Sequence, residues 1–86
     1  MQSDEFVALE LVAELFERQR GLCGICHEPM TRPLLDHNHE TMEVRGLLCS
    51  KCNVGLGQFK DNPTLLLAAL DYLENNAGIG IKVKKN

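Results

Sequence analysis

Two Cys-x-x-Cys pairs, Cys23/Cys26 and Cys49/Cys52, constrain this chain more than any other feature of it. Thiols at that spacing, repeated once, are the ligand pattern of a tetrahedral four-thiolate zinc site, so both knuckles must converge on one point. Between them lies Leu35-Asp36-His37-Asn38-His39, and the second pair runs directly into Asn53. A zinc ion held by all four cysteines would fix that acid-imidazole cluster beside the residue after the last thiol. The pattern reads as a metal-dependent hydrolytic centre built on a structural staple.

At 86 residues the chain is expected to be one small domain, 1–86, with its core at about 21–60 and flanking helices at about 4–20 and 63–76. A hydrophobic core of that size supplies only roughly 3–5 kcal/mol, and a structural metal is a common supplement. Two disulfides would be the alternative in a secreted chain. The first residues, Met1-Gln2-Ser3-Asp4-Glu5, are polar and acidic rather than a basic leader, and no apolar run approaches the ~20 residues of a membrane span. A soluble, intracellular chain with reduced thiolates on zinc is the expectation.

The net charge of −3 argues against a nucleic-acid ligand until the charges are located. Asp4, Glu5, Glu10, Glu14 and Glu17 stand in the first 17 residues without a base. Residues 18–60 carry Arg18, Arg20, Arg32, Arg45, Lys51 and Lys60 against Glu28, Asp36, Glu40 and Glu43, a net +2. Bound metals would change the local balance again, so the overall charge neither supports nor excludes DNA. It does predict weak nonspecific affinity unless the bases line one face or a second subunit adds its own.

The fold class expected is α+β. Phe6, Val7, Leu9, Leu11, Val12, Leu15 and Phe16 recur at helical spacing from Asp4 to about Gln19, with Ser3 as N-cap and Gly21 as the stop. Leu34-Leu35 leads into Asp36-His37, and Val44-Arg45-Gly46-Leu47-Leu48 follows a polar turn around Glu40 to Glu43; the two segments should pair as a hairpin. Asn53 to Phe59 can form a short helix weakened by Gly55 and Gly57. Asp61-Asn62-Pro63 starts the last helix, which runs to about Asn75 with Leu65, Leu66, Leu67, Leu70, Tyr72 and Leu73 on a broad apolar face. The terminal helices either pack on each other or form a homodimer interface. The tail from Ile79 to Lys85 alternates weakly, as an edge strand or as disordered chain.

Cys23-Gly24-Ile25-Cys26, Leu35-Asp36-His37-Asn38-His39-Glu40-Thr41, Val44 through Cys49, Cys52-Asn53, and Gly55-Leu56-Gly57 with Phe59 resemble, in order, the phage recombination endonuclease VII family of HNH nucleases. The resemblance covers about residues 10–74 and implies the zinc-stapled ββα-metal fold. It also implies a divalent-metal-dependent DNA endonuclease, in the cytoplasm of a bacterium or a phage-infected host. His37 would activate water, while Asp36 and Asn53 hold a magnesium or manganese ion. Three departures stand out: Met42-Glu43 where relatives place Gly-Lys, Leu56 where the founding enzyme has an acidic residue, and no counterpart of that enzyme's long C-terminal helical region. Resolution of four-way junctions is therefore not the expected task.

The residue chemistry agrees with that implication. Phosphodiester hydrolysis needs a base for water, a cation for the charge building on oxygen, and groups that fix the backbone in line. An imidazole is a suitable base at physiological pH, and a carboxylate with an amide oxygen are hard donors of the sort magnesium takes. Neighbours on a strand point to opposite faces, so a turn or bulge must re-aim Asp36 or His37 if both address one phosphate. Other readings stay open. Asp36 could cap the turn, and Asn53 is also a good N-cap. His39 could orient phosphate, support His37 as a second catalytic residue, sit on the surface, or replace a cysteine on zinc; His27 reads as exposed, and Glu40 as a brace for the turn or a metal donor. Arg45 and Lys51 are candidates for backbone phosphate contacts or plain solvated charges. The competing function is a noncatalytic zinc module that binds nucleic acid or a protein partner.

Overall fold

A computed structural model describes residues 4–84, with side chains from Leu9 onward; the expected N-cap Ser3 lies outside them. The order is α1 (Asp4–Arg18), β1 (Leu34–His37), β2 (Val44–Leu48), α2 (Ser50–Gln58) and α3 (Pro63–Glu74). The strands form a two-stranded antiparallel sheet, and the α+β expectation holds. α1 packs on β2, and α2 packs on both strands.

Helix α1 ends where its backbone turns left-handed at Arg20 (φ 56°) and Gly21 (φ 72°). The Gly21 N–H reaches back to the Phe16 carbonyl at 2.8 Å and the Arg20 N–H to Glu17 at 3.1 Å, a Schellman closure that satisfies the last carbonyls. This turns the chain into the first knuckle. Cys23 and Glu28 are joined through backbone, as are Met30 and Gly21, so Cys23 and Cys26 sit in a tight loop with a one-pair bridge, Leu22 to Pro29, at its base. His27 adopts φ 61° at the end of that loop and is exposed, as its position suggested.

The core among the described residues is small: Cys23, Met30, Leu47 and Leu48 are buried, with Val12, Leu15, Leu35, Leu56 and the other three cysteines packed around them. Two of these facts combine. Cys23 and Leu47 are both fully shielded from water, so the sulfur cluster is part of the hydrophobic core rather than an attachment to its surface. Gln19 ties α1 to this centre. Its Oε1 accepts from the Leu47 N–H at 2.8 Å, and its Nε2 donates to the carbonyls of Leu47 and Leu22 at 3.1 and 2.8 Å. The amide thus pairs with β2 as a third strand would. A Cβ on Gly46 would stand 3.0 Å from Gln19 Oε1, a crowding that glycine avoids.

Two expectations need correction, and two alternatives left open by the sequence are narrowed. Helix α2 begins at Ser50, not Asn53: Cys49 is the N-cap, its sulfur accepting from the Cys52 N–H, and Asn53 already donates its own N–H to the Cys49 carbonyl. Asn38, rather than Asp36 or Glu40, braces the hairpin turn, with its Oδ1 accepting from the Glu40 and Thr41 N–H groups at 2.8 and 3.1 Å. Among the described residues, the terminal helices do not pack on each other as α1 packs on β2. Helix α3 starts as expected, Asn62 capping it through the N–H groups of Thr64 and Leu65 with Pro63 at the first position, but it finds no packing partner comparable to those of α1 or α2. The tail through Lys84 forms no strand, and Ile79, Ile81 and Val83 are exposed.

Candidate active site

The two knuckles bring Cys23, Cys26, Cys49 and Cys52 together so that their four sulfurs all lie within 4.8 Å of one another. A tetrahedral zinc with Zn–S bonds of about 2.3 Å separates its sulfurs by about 3.8 Å. Cys26 and Cys49 already stand 3.9 Å apart. Backbone N–H groups aim at the sulfurs as well: Ile25 and Cys49 at Cys23 Sγ, both 3.4 Å, and Cys52 at Cys49 Sγ, 3.5 Å. Such donors favour thiolate over thiol.

The acid-base balance of the cluster points the same way. Burial pushes the Cys23 thiol up, but N–H donation from Cys49, Ile25 and Cys26 outweighs it and brings the group from the ordinary 9.0 down to about 6. Burial also pushes Cys52 up, and with the surrounding sulfurs of Cys49, Cys23 and Cys26 it carries that thiol to about 12. One sulfur holds charge easily and its neighbour resists a second. A divalent cation removes that conflict, so the donor set fits a structural metal such as zinc.

The polar end of the hairpin is built differently. Pairing runs Leu34 with Leu48, Leu35 with Leu47 and Asp36 with Gly46, then slips so that His37 pairs with Val44. Arg45 is the extra residue of β2, so the bulge bends that strand opposite Asp36 and His37 and re-aims Arg45 rather than either of them. Arg45 turns onto Asp36: Nε donates to Oδ2 at 2.7 Å and Nη2 to Oδ1 at 3.0 Å. The carboxylate holds the Arg45 guanidinium still more firmly protonated than usual.

His37 and His39 sit with ring centroids 4.7 Å apart and planes tilted by 51°. His39 Nε2 in turn stands 3.4 Å from Asp61 Oδ2, across a cleft of about 520 Å³ lined by Asn38, His39, Glu40, Arg45, Lys60 and Asp61 among others. Lys60 and Asp61 are both left-handed, at φ 58° and 53°, and their N–H groups close the end of α2 onto Gly57 and Leu56. That pair of strained turns is what sends Asp61 back toward the hairpin.

The structure therefore brings Asp36 to Arg45, His37 to His39, and His39 to Asp61. Asn53 stands exposed on α2, and its side-chain amide makes no hydrogen bond among the described residues. Lys51 lies at the rim of an apolar hollow with Ile25, Leu56, Phe59 and Leu66, which Arg45 does not line. Two residues are not legible as contacts in the sequence. Gln19 carries no signal, because its partners are backbone groups of a distant strand, and Asp61 shows only as part of a helix start.

A family model described as recombination endonuclease VII matches residues 3–75. The Gene 59 protein of Mycobacterium phage D29 is 38% identical over 71 residues, which are 78% of this chain and 43% of that protein. The Gene 59 protein of Mycobacterium phage L5 is 36% identical over 72 residues, 79% of this chain and 44% of the relative. The match thus spans less than half the length of these relatives. Among the described residues, no helix is long and apolar enough to cross a membrane.

Proposed function

This chain belongs to the recombination endonuclease VII family, and on that premise we propose that it is a divalent-metal-dependent DNA endonuclease of the HNH, ββα-metal kind. The observation that carries the reading is the contact of the His37 and His39 rings, with Asp61 behind His39, at the end of a hairpin anchored to the four-cysteine cluster.

Each residue then has a task. His37 takes the proton of the attacking water, and the His39 ring packed against it, with Asp61 behind, keeps it oriented. Asp36 and Asn53 supply a carboxylate and an amide oxygen to magnesium or manganese. Such an ion, when bound, neutralises charge building on the phosphoryl and leaving oxygens. Arg45 and Lys51 hold the DNA backbone without reading sequence. Zinc on the four cysteines has a structural role only. The exposed leucines of α3 are the surface through which two copies would associate, and the working compartment is the cytoplasm.

A second reading is favoured by one contact. With both Asp36 oxygens on Arg45, the hairpin end has the form of a structural ion pair, as a noncatalytic zinc module for nucleic acid or protein would have. Plasmid nicking with and without magnesium, in wild type and His37→Ala, separates the two. The endonuclease reading expects metal-dependent nicking that falls by at least about 10²-fold in the variant. Cleavage that survives the substitution removes His37 as base, and none with any divalent ion selects the module.

A further inference from the structure

Asp36 is shielded, with its side chain 12% exposed, and both of its oxygens are engaged by one guanidinium whose own side chain is 40% exposed. A two-pronged guanidinium uses the lone pairs in the carboxylate plane that a hard divalent ion would take. Both cannot hold them at once. Arg45 is also the unpaired residue of the bulge, so no residue across the sheet fixes it, and the same side chain borders the cleft beside His39 and Lys60. It has a second place to go.

We infer that Arg45 is the exchange partner of Asp36: it covers the carboxylate until a divalent cation binds there and then turns to a DNA phosphate, so one side chain couples the two binding events. This rests on the proposed reading of Asp36 as a cation ligand. The planar fork of arginine suits both stations, since it meets carboxylate and phosphate with the same two-pronged geometry. Coupling of this kind is reciprocal. A cation that frees Arg45 raises affinity for DNA, and DNA that captures Arg45 raises affinity for the cation by the same factor.

The experiment is manganese binding to the zinc-loaded full chain, followed by calorimetry or by the paramagnetic resonance of free Mn²⁺, in wild type, Arg45→Ala, Arg45→Gln and Asp36→Asn. Removing the competing guanidinium should tighten Mn²⁺ binding roughly three- to thirtyfold, discounted for the partial exposure of the pair. Arg45→Gln keeps most of the stem and controls for damage to the bulge, and circular dichroism reports whether each variant keeps the fold. Asp36→Asn should weaken Mn²⁺ binding by tenfold or more. In parallel, Ca²⁺ should raise the affinity of wild type for a short duplex, and Arg45→Ala should lose that gain. Unchanged or weaker Mn²⁺ binding in both folded Arg45 variants, with Asp36→Asn still impaired, overturns the exchange while leaving Asp36 as a ligand. Unchanged Mn²⁺ binding in Asp36→Asn removes Asp36 from the cation site, and the exchange falls with it.

Discussion

The knuckle-and-hairpin body and the C-terminal arm divide this molecule unequally, and in the opposite sense to their apolar content. Helix α3 presents leucine at 65, 66, 67, 70 and 73, yet none of its residues is buried, and Leu67, Leu70 and Leu73 are 65%, 50% and 76% exposed. Large apolar side chains are less densely spaced in the body, yet it contains every buried residue described. Hydrophobic content therefore does not decide where the core forms. Covalent spacing does: two loops forced onto one cluster bring β2, α1 and α2 within reach of one another, and Leu47 and Leu48 are buried as a consequence.

The largest break in that comparison is Cys49→Ser. Cys49 is a sulfur of the cluster, the cap of α2, and the residue whose N–H reaches Cys23. Structural zinc sites contribute about 10–16 kcal/mol of binding energy that is also folding energy. That exceeds the roughly 3–5 kcal/mol expected of so small a core. Loss of zinc and of cooperative thermal unfolding should follow, seen by metal analysis and circular dichroism. A variant that stays folded without metal would show that the apolar contacts suffice.

Gln19→Ala comes next. It strands the Leu47 N–H in a part-buried position and removes two further bonds to backbone carbonyls, while leaving the sulfurs untouched. The expected cost is about 2–3 kcal/mol, read as a lower urea midpoint for the zinc-loaded protein with the zinc content unchanged. A midpoint equal to wild type would mean that water replaces the amide, and that α1 is held by Val12 and Leu15 alone.

These two residues also mark what could be read from the chain beforehand. The cysteine spacing announces its own geometry, because two-residue gaps close a loop around a metal whatever surrounds them. The hairpin is equally plain, being two short apolar runs about a polar turn. Helix α2 starts three residues before the sequence suggests, because a cysteine cap, its sulfur accepting a backbone N–H, gives no familiar signal beside an asparagine. Gln19 and the Arg45–Asp36 pair were illegible for a shared reason: each depends on strand register, and the slip at Asp36 and His37 is set by packing rather than by any local pattern. Arg45 and Asp36 could be suspected one at a time, as phosphate contact and as metal donor. That they meet is a property of the folded hairpin.

The smallest effect sharpens the contrast most. Asn62→Ala removes the side-chain oxygen that accepts from Thr64 and Leu65, a loss of about 1 kcal/mol at the first turn of α3. Were the arm integrated with the body, that loss would lower global stability and appear as faster amide exchange in the hairpin. Without a packing partner for α3, the change should stay local, with faster exchange in Leu66 to Leu70 and unaltered protection at Leu47 and Gly24, whose N–H groups are bonded within the body. Exchange that accelerates at Leu47 as well would show that the arm supports the core. The leucines of α3 would then have to be counted among the forces that hold the sulfur cluster closed.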